Sequence, residues 1–263
     1  MNRPGMVIDG IDRAWLLEAS RKDPVRHAYA LWDLDHEPIR ARFVSYRTAQ
    51  TTLAYLLVWS GDPKATIVHW VGPGDEAAAL ASALPPRPVV AVVPEEAGAR
   101  VRSALAPVEA YSVLRLVAEL PRTSVSASPS SVRAMGALDA ERLRAWAGTI
   151  DSPLVNGYRT FDPAVNVAWG AFEGDRIVGA ASAGVRLPDI WVLNGIYVEP
   201  GARGRGHGAA LTAAAMATAR AAGARPTLYV REDNDPARRM YERLGFRTLD
   251  RLAWIDAGAD RPP

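Results

Sequence analysis

Val198-Glu-Pro-Gly-Ala-Arg-Gly-Arg-Gly-His-Gly-Ala209 joins an apolar run to an alanine-rich one, and its reading decides how the rest of the chain is understood. Upstream, Ile190–Val198 (I-W-V-L-N-G-I-Y-V) has the apolar character of a buried strand, which Pro200 and Gly201 end. Downstream, Ala209 to Ala222 consists almost wholly of strong helix formers, with Gly223 placed to stop the helix. The first turn of a helix leaves its backbone N–H groups without intrahelical partners and carries partial positive charge. Gly204, Gly206 and Gly208 have no Cβ, so a phosphate can approach those N–H groups, and Arg203 and Arg205 add charge. The stretch is suited to holding a pyrophosphate.

Its spacing, Arg203-x-x-Gly206-x-Gly208 between a strand and a helix, resembles the coenzyme-A-binding signature of the GNAT superfamily of N-acyltransferases. A dinucleotide fingerprint would place its third glycine at position 209, which is alanine. Alanine is tolerated there, so the glycines alone leave a dinucleotide open, as they do a structural turn. The fingerprint also wants an acid about 20 residues on, whereas Glu232 falls about eight residues beyond that point. A second stretch, Asn234-Asp-Pro-Ala-Arg-Arg-Met-Tyr-Glu-Arg-Leu-Gly-Phe246, is similar to the other superfamily signature of an Asn, an Ala, a Tyr and Gly-Phe. Asp235 is the predicted N-cap, Pro236 the first helical residue and Gly245 the left-handed stop. Ala237, Tyr241 and Leu244 then share one helix face, where a packed core tyrosine is the alternative to a functional one.

Composition narrows the class. The chain has 263 residues, 49% of them hydrophobic, no cysteine and a formal net charge of +2. It can therefore bury one large core or two smaller ones, and it has no disulfide, thiolate metal site or cysteine nucleophile. The pI of 9.0 reflects cations that are nearly all arginine, with Lys22 and Lys64 the only lysines. So small an excess, without a basic stripe, argues against nucleic acid as partner. No long apolar window predicts a membrane span, and the start lacks the apolar run of a secretory signal, so a cytoplasmic monomer or homodimer is expected. His27, His36, His69 and His207 have no metal-ligand spacing, and no metal is expected.

The serine- and proline-rich stretch from Pro121 to Ser131 predicts a boundary, giving domains 1–121 and 122–263. After it the pattern predicts a helix at 139–148 and strands at 166–172, 177–185 and 190–198, with Glu173-Gly-Asp175 as a hairpin turn. The phosphate-loop helix, a strand at 227–230, a helix at 236–244 and a strand at 248–255 follow. The order is that of the GNAT core. The resemblance thus implies an α/β protein with a GNAT (acyl-CoA N-acyltransferase) fold and a mixed, mostly antiparallel sheet. The first half, with strands at 39–46, 52–60, 65–71, 89–93 and 111–120 and helices at 75–83 and 95–105, is either a degenerate copy of the same order or an unrelated α/β domain. Its turn Gly72-Pro-Gly-Asp-Glu76 puts acids and a proline where an anion would sit, so this half is expected to bind no coenzyme A.

The resemblance also implies a chemistry, N-acetylation with acetyl-CoA as co-substrate and direct attack by the acceptor amine. The acceptor would be a small-molecule amine or amino acid ahead of a peptide. The family's cofactor contacts fall on Ile196, Tyr197 and Val198 for the pantetheine arm and carbonyl. Arg203, Gly204, Arg205, Gly206, His207, Gly208 and Ala209 would hold the phosphates, and Asn234 a further hydrogen bond. Tyr241 is implied as the general acid that protonates the leaving thiolate. Some members carry a glutamate base five residues before the Asn; here that position is Tyr229, a poor base at neutral pH. Asp189 and Glu199 flank the strand and are candidate relays, although strand-end carboxylates are usually only solvated. The missing base leaves a non-catalytic acyl-CoA sensor as the alternative.

Overall fold

Alternating and wholly apolar runs become strands, and the short polar segments between them become turns. The structure is a computed structural model that describes residues 5–62, 64–73, 78–119 and 131–258. Pro121 to Ser130 of the predicted boundary stretch, and Gly74, Asp75 and Glu76 of the acidic turn, lie outside the described residues. In chain order the elements are β1 (Met6–Asp9), α1 (Arg13–Lys22), α2 (Ala28–His36), β2 (Ala41–Arg47), β3 (Thr52–Trp59), β4 (Thr66–Val71), β5 (Val89–Pro94), α3 (Glu95–Leu105) and β6 (Glu109–Ala118). There follow β7 (Val132–Ala134), α4 (Ala140–Gly148), β8 (Val167–Glu173), β9 (Arg176–Arg186), β10 (Ile190–Val198), α5 (His207–Ala221), β11 (Arg225–Arg231), α6 (Asp235–Arg243) and β12 (Phe246–Ala257). The architecture is α/β with mixed pairing, parallel at β4–β5 and β10–β11 and antiparallel at β1–β2, β2–β3, β3–β4, β5–β12, β7–β8, β8–β9 and β9–β10.

The described residues divide into two compact units that do not follow a single cut in the chain. The first holds residues 1–115, 230–235 and 248–263, and the second holds 116–229 and 236–247. In the first unit, β12 returns from the C-terminal end to pair with β5, from Leu252↔Pro94 to Ala257↔Val89. It buries Ala253, Ile255 and Ala257 in one core with Val89, Ala91 and Val93, beneath Ala97 and Val101 of α3. On a separate apolar cluster, Leu16 and Ala30 of α1 and α2 pack with Phe43, Tyr55 and Leu57. Sequence patterning assigns nothing to residues 1–38, although Asp12 caps α1 through bonds from Ala14 N at 2.9 Å and Trp15 N at 3.1 Å. The helix predicted at 75–83 is, in its described part Ala78–Ala83, a 3-10 turn. With Pro85 and Pro86 following, the chain there has no room to continue as an α-helix.

In the second unit β8, β9 and β10 form the predicted antiparallel series, with Gly174 turning the hairpin at φ 59°. Gly179 lets α5 lie close to the sheet, since an added Cβ would stand 3.3 Å from Leu211. Ala210, Leu211, Ala215, Met216 and Ala219 form the buried face of α5. α4 contributes Leu143, Trp146 and Ala147 to another cluster, with Tyr158, Phe161, Ala168 and Ala180. Gly223 and Gly245, at φ 82° and 90°, end α5 and α6 in the left-handed conformation predicted for them. α6 begins one residue earlier than predicted, with Asp235 as its first residue.

Candidate active site

β10 pairs with β9 along most of its length, but with β11 only from Ile190↔Arg225 to Val192↔Thr227. From Leu193 onward its other edge has no strand partner among the described residues. Backbone groups on a half-buried edge need partners, and an extended ligand arm can supply them as a strand would. Ile196, Tyr197 and Val198 lie on this segment, each half-buried. The segment is also bulged: Asn194 and Tyr197 of β10 stand opposite Ser182 and Ala180 of β9, so β10 carries one extra residue there. Gly195 sits in the bulge at φ 60°.

The loop after β10 turns through Pro200–Ala202, and Arg203 closes it by donating from Nε to the Val198 carbonyl at 3.0 Å. Gly204 and Gly206 adopt φ 78° and 86°, a conformation that L residues rarely hold. No atom lies within 4 Å of a Cβ built on either, so the loop faces open space. Gly206 precedes α5, and its carbonyl accepts the first helical bond from Ala210 N at 3.0 Å. The N–H groups of His207, Gly208 and Ala209 are therefore the first-turn donors, and no acceptor takes them among the described residues. Gly208 faces α6 instead, where its Cβ would meet Met240 Sδ at 3.4 Å.

Two polar side chains of the loop, Arg205 and His207, meet Glu173. Arg205 bonds Glu173 Oε1 at 2.7 Å and the Gly201 carbonyl at 3.1 Å. His207 is tucked in, its side chain only 10% exposed, with Nε2 3.2 Å from the same carboxylate oxygen. The hydrogen bond from His207, then that from Arg205, holds the Glu173 carboxyl below its ordinary range. The sequence marks Glu173 only as a hairpin residue, yet it meets the His207 imidazole.

Tyr241 is buried on α6, edge-on to Phe246 with ring centroids 5.7 Å apart. Its hydroxyl makes no hydrogen bond among the described residues, and burial pushes its pKa up to about 12. It is a phenol kept protonated at neutral pH. Asn234 is exposed at the turn before α6, in the segment counted with the first unit, and its N–H bonds the Arg231 carbonyl at 3.1 Å. Tyr229 is half-buried on β11, and Asp189 is exposed between β9 and β10. Glu199 has both oxygens engaged, Oε1 by Trp146 Nε1 at 2.7 Å and Oε2 by Arg176. Among the described residues no three His, Cys, Asp or Glu side chains gather to hold a metal, and no helix is long and apolar enough to cross a membrane.

This loop and helix fall inside residues 137–246, which match the family described as Acetyltransferase (GNAT) family. Residues 137–246 form a GNAT acetyltransferase domain. Among curated proteins, the mycothiol acetyltransferase of Streptomyces scabiei is 42% identical over 96 residues, covering 34% of this chain and 29% of that protein. The chain thus aligns with less than a third of that relative's length. Among solved structures, a GCN5-related N-acetyltransferase from Sphaerobacter thermophilus superimposes with a TM-score of 0.59 at 16% identity, covering 98% of each chain. A tandem GNAT protein from the clavulanic acid biosynthesis pathway gives 0.56 at 14% identity, over 98% of this chain and 100% of that one. At such identities the likeness is one of fold, and the fold is that of GNAT proteins across nearly the whole chain.

Proposed function

We propose that the GNAT domain uses acetyl-CoA to acetylate the amine of a small molecule or amino acid, through direct attack on the thioester. One observation carries the reading: an open, left-handed glycine loop leads into the N-terminus of α5, directly after a strand with an unpaired edge. The loop fits a pyrophosphate because Gly204 and Gly206 leave space, and the N–H groups of His207, Gly208 and Ala209 point from a helix end. Ile196, Tyr197 and Val198 would pair with the pantetheine arm. Arg203 acts mainly by closing the loop.

The amine nitrogen attacks the thioester carbon, a C–N bond forms, and backbone donors of β10 stabilise the charge that develops on oxygen. The C–S bond then breaks, and the sulfur takes the proton of the Tyr241 hydroxyl. The proton lost by nitrogen returns through water to the tyrosine oxygen, which restores the phenol. The test is release of free thiol from acetyl-CoA by the full chain, with and without a panel of amines, the acetylated product being located by mass spectrometry. Amine-dependent release with the acetyl group on nitrogen is the expected result. Binding of acetyl-CoA with no amine-dependent release would favour the sensor reading.

A further inference from the structure

The bulge in β10 centres on Gly195, whose left-handed φ of 60° glycine adopts without strain, and several side chains pack against it. Tyr158, only 2% exposed, donates from its hydroxyl to the Gly195 carbonyl at 2.7 Å. A Cβ added at Gly195 would lie 2.7 Å from that hydroxyl and 3.0 Å from the Leu154 carbonyl, so the turn Pro153–Tyr158 presses directly on the glycine. Ser182, opposite on β9, donates to Asn194 Oδ1 at 2.7 Å. The tyrosine ring is itself fixed by Trp146, with centroids 6.2 Å apart, and Trp146 is anchored by Glu199 just past the end of β10.

Resting on the acyl-CoA reading above, we propose that Tyr158 is a positioning residue for acyl transfer, holding the Gly195 carbonyl so that the bulged backbone of β10 keeps its donors set for the thioester carbonyl. Ser182 braces the same bulge from β9 through its bond to Asn194. The arrangement acts on the acetyl end of the ligand and not on its phosphates, which the loop after β10 would hold. That separation gives a readout independent of the acceptor, the preference for acetyl-CoA over CoA.

Calorimetry on the full chain measures both ligands for the wild type, Tyr158→Phe and Ser182→Ala. The wild type should bind acetyl-CoA at least about threefold more tightly than CoA, the scale of one net hydrogen bond. Tyr158→Phe should bind CoA as the wild type does and lose that preference, with Ser182→Ala, less buried and less disruptive, shifting the same way. With a reactive amine in hand, kcat of Tyr158→Phe should fall about tenfold to a hundredfold, while KM for acetyl-CoA rises by no more than the lost preference. A merely structural tyrosine would lower the melting temperature and leave the preference and kcat intact. That result in both variants, or a wild type with no preference, overturns the proposal alone. A wild type that binds neither ligand overturns the acyl-CoA reading and the proposal with it.

Discussion

Tyr241 and Glu173 differ in how visible they are before folding. Tyr241 is legible because its place depends on spacing along one helix face, ahead of a glycine that ends the helix at φ 90°. Burial raises its pKa to about 12, so loss of its proton should not shape the rate below about pH 11. Tyr241→Phe should lower turnover by roughly 10²-fold. Its affinity for acetyl-CoA should change by less than about tenfold, since one hydroxyl contributes only about 1 kcal/mol to binding. Steady-state rates and calorimetry on the same preparation check both, and equal turnover would return the residue to a packing role. Glu173 is not legible, because its reach to Arg205 and His207 depends on how the β8–β9 hairpin lies beside the loop. Its carboxylate already pairs with the Arg205 cation next to the proposed phosphate site. Glu173→Gln should therefore tighten CoA binding about threefold to tenfold at low salt, with the gain shrinking at high salt. Unchanged or weaker binding would contradict this electrostatic account.

At the scale of elements, local chemistry foretells the helices and strands of residues 137–257 to within a few residues, because caps, glycine stops and apolar runs act over short distances. It misses the bulge in β10, although Asn194-Gly195 inside an apolar run is the signal for one. It also misses α1, whose Asp12 cap is plain but whose apolar face is short. β7 and the start of α4 are joined by a contact no local pattern shows: Arg133 forms a two-bond pair with Asp139, at 2.7 and 2.6 Å. The Arg133 hydrogen bonds, helped by the Gly136 N–H, lower the Asp139 pKa to about 2. A depressed carboxylate pKa stabilises the folded state above the unfolded value of about 3.9, and the contribution is lost as pH falls toward 2. Solvent around the half-exposed arginine limits the effect to about 1 kcal/mol. Asp139→Asn should lower the melting temperature by a few degrees at pH 7, and the gap from wild type should close by about pH 2. A gap unchanged across that window would assign the pair no net role.

For the whole molecule, composition and element order point to two α/β units, but not to how the chain is shared between them. The first unit is completed by β12 from the far end of the sequence, a pairing of β5 with residues about 160 positions away. Such pairing is invisible to periodicity, which sees each strand alone. The contrast between the turns after β4 and β10 belongs to this scale as well. Gly72, at φ 113°, is crowded: its Cβ would meet Ala54 Cα and the Leu53 carbonyl, each at 2.7 Å. The described part of the segment that follows is a short 3-10 turn, where Gly204 and Gly206 instead face open space before a 15-residue helix. The proposed reading therefore expects one anion site per chain. Calorimetric titration of the full chain with acetyl-CoA tests it most directly: the account predicts one molecule bound per chain, with affinity at least tenfold weaker in a folded Gly206→Val variant. Two molecules per chain, or unchanged affinity in that variant, would contradict it.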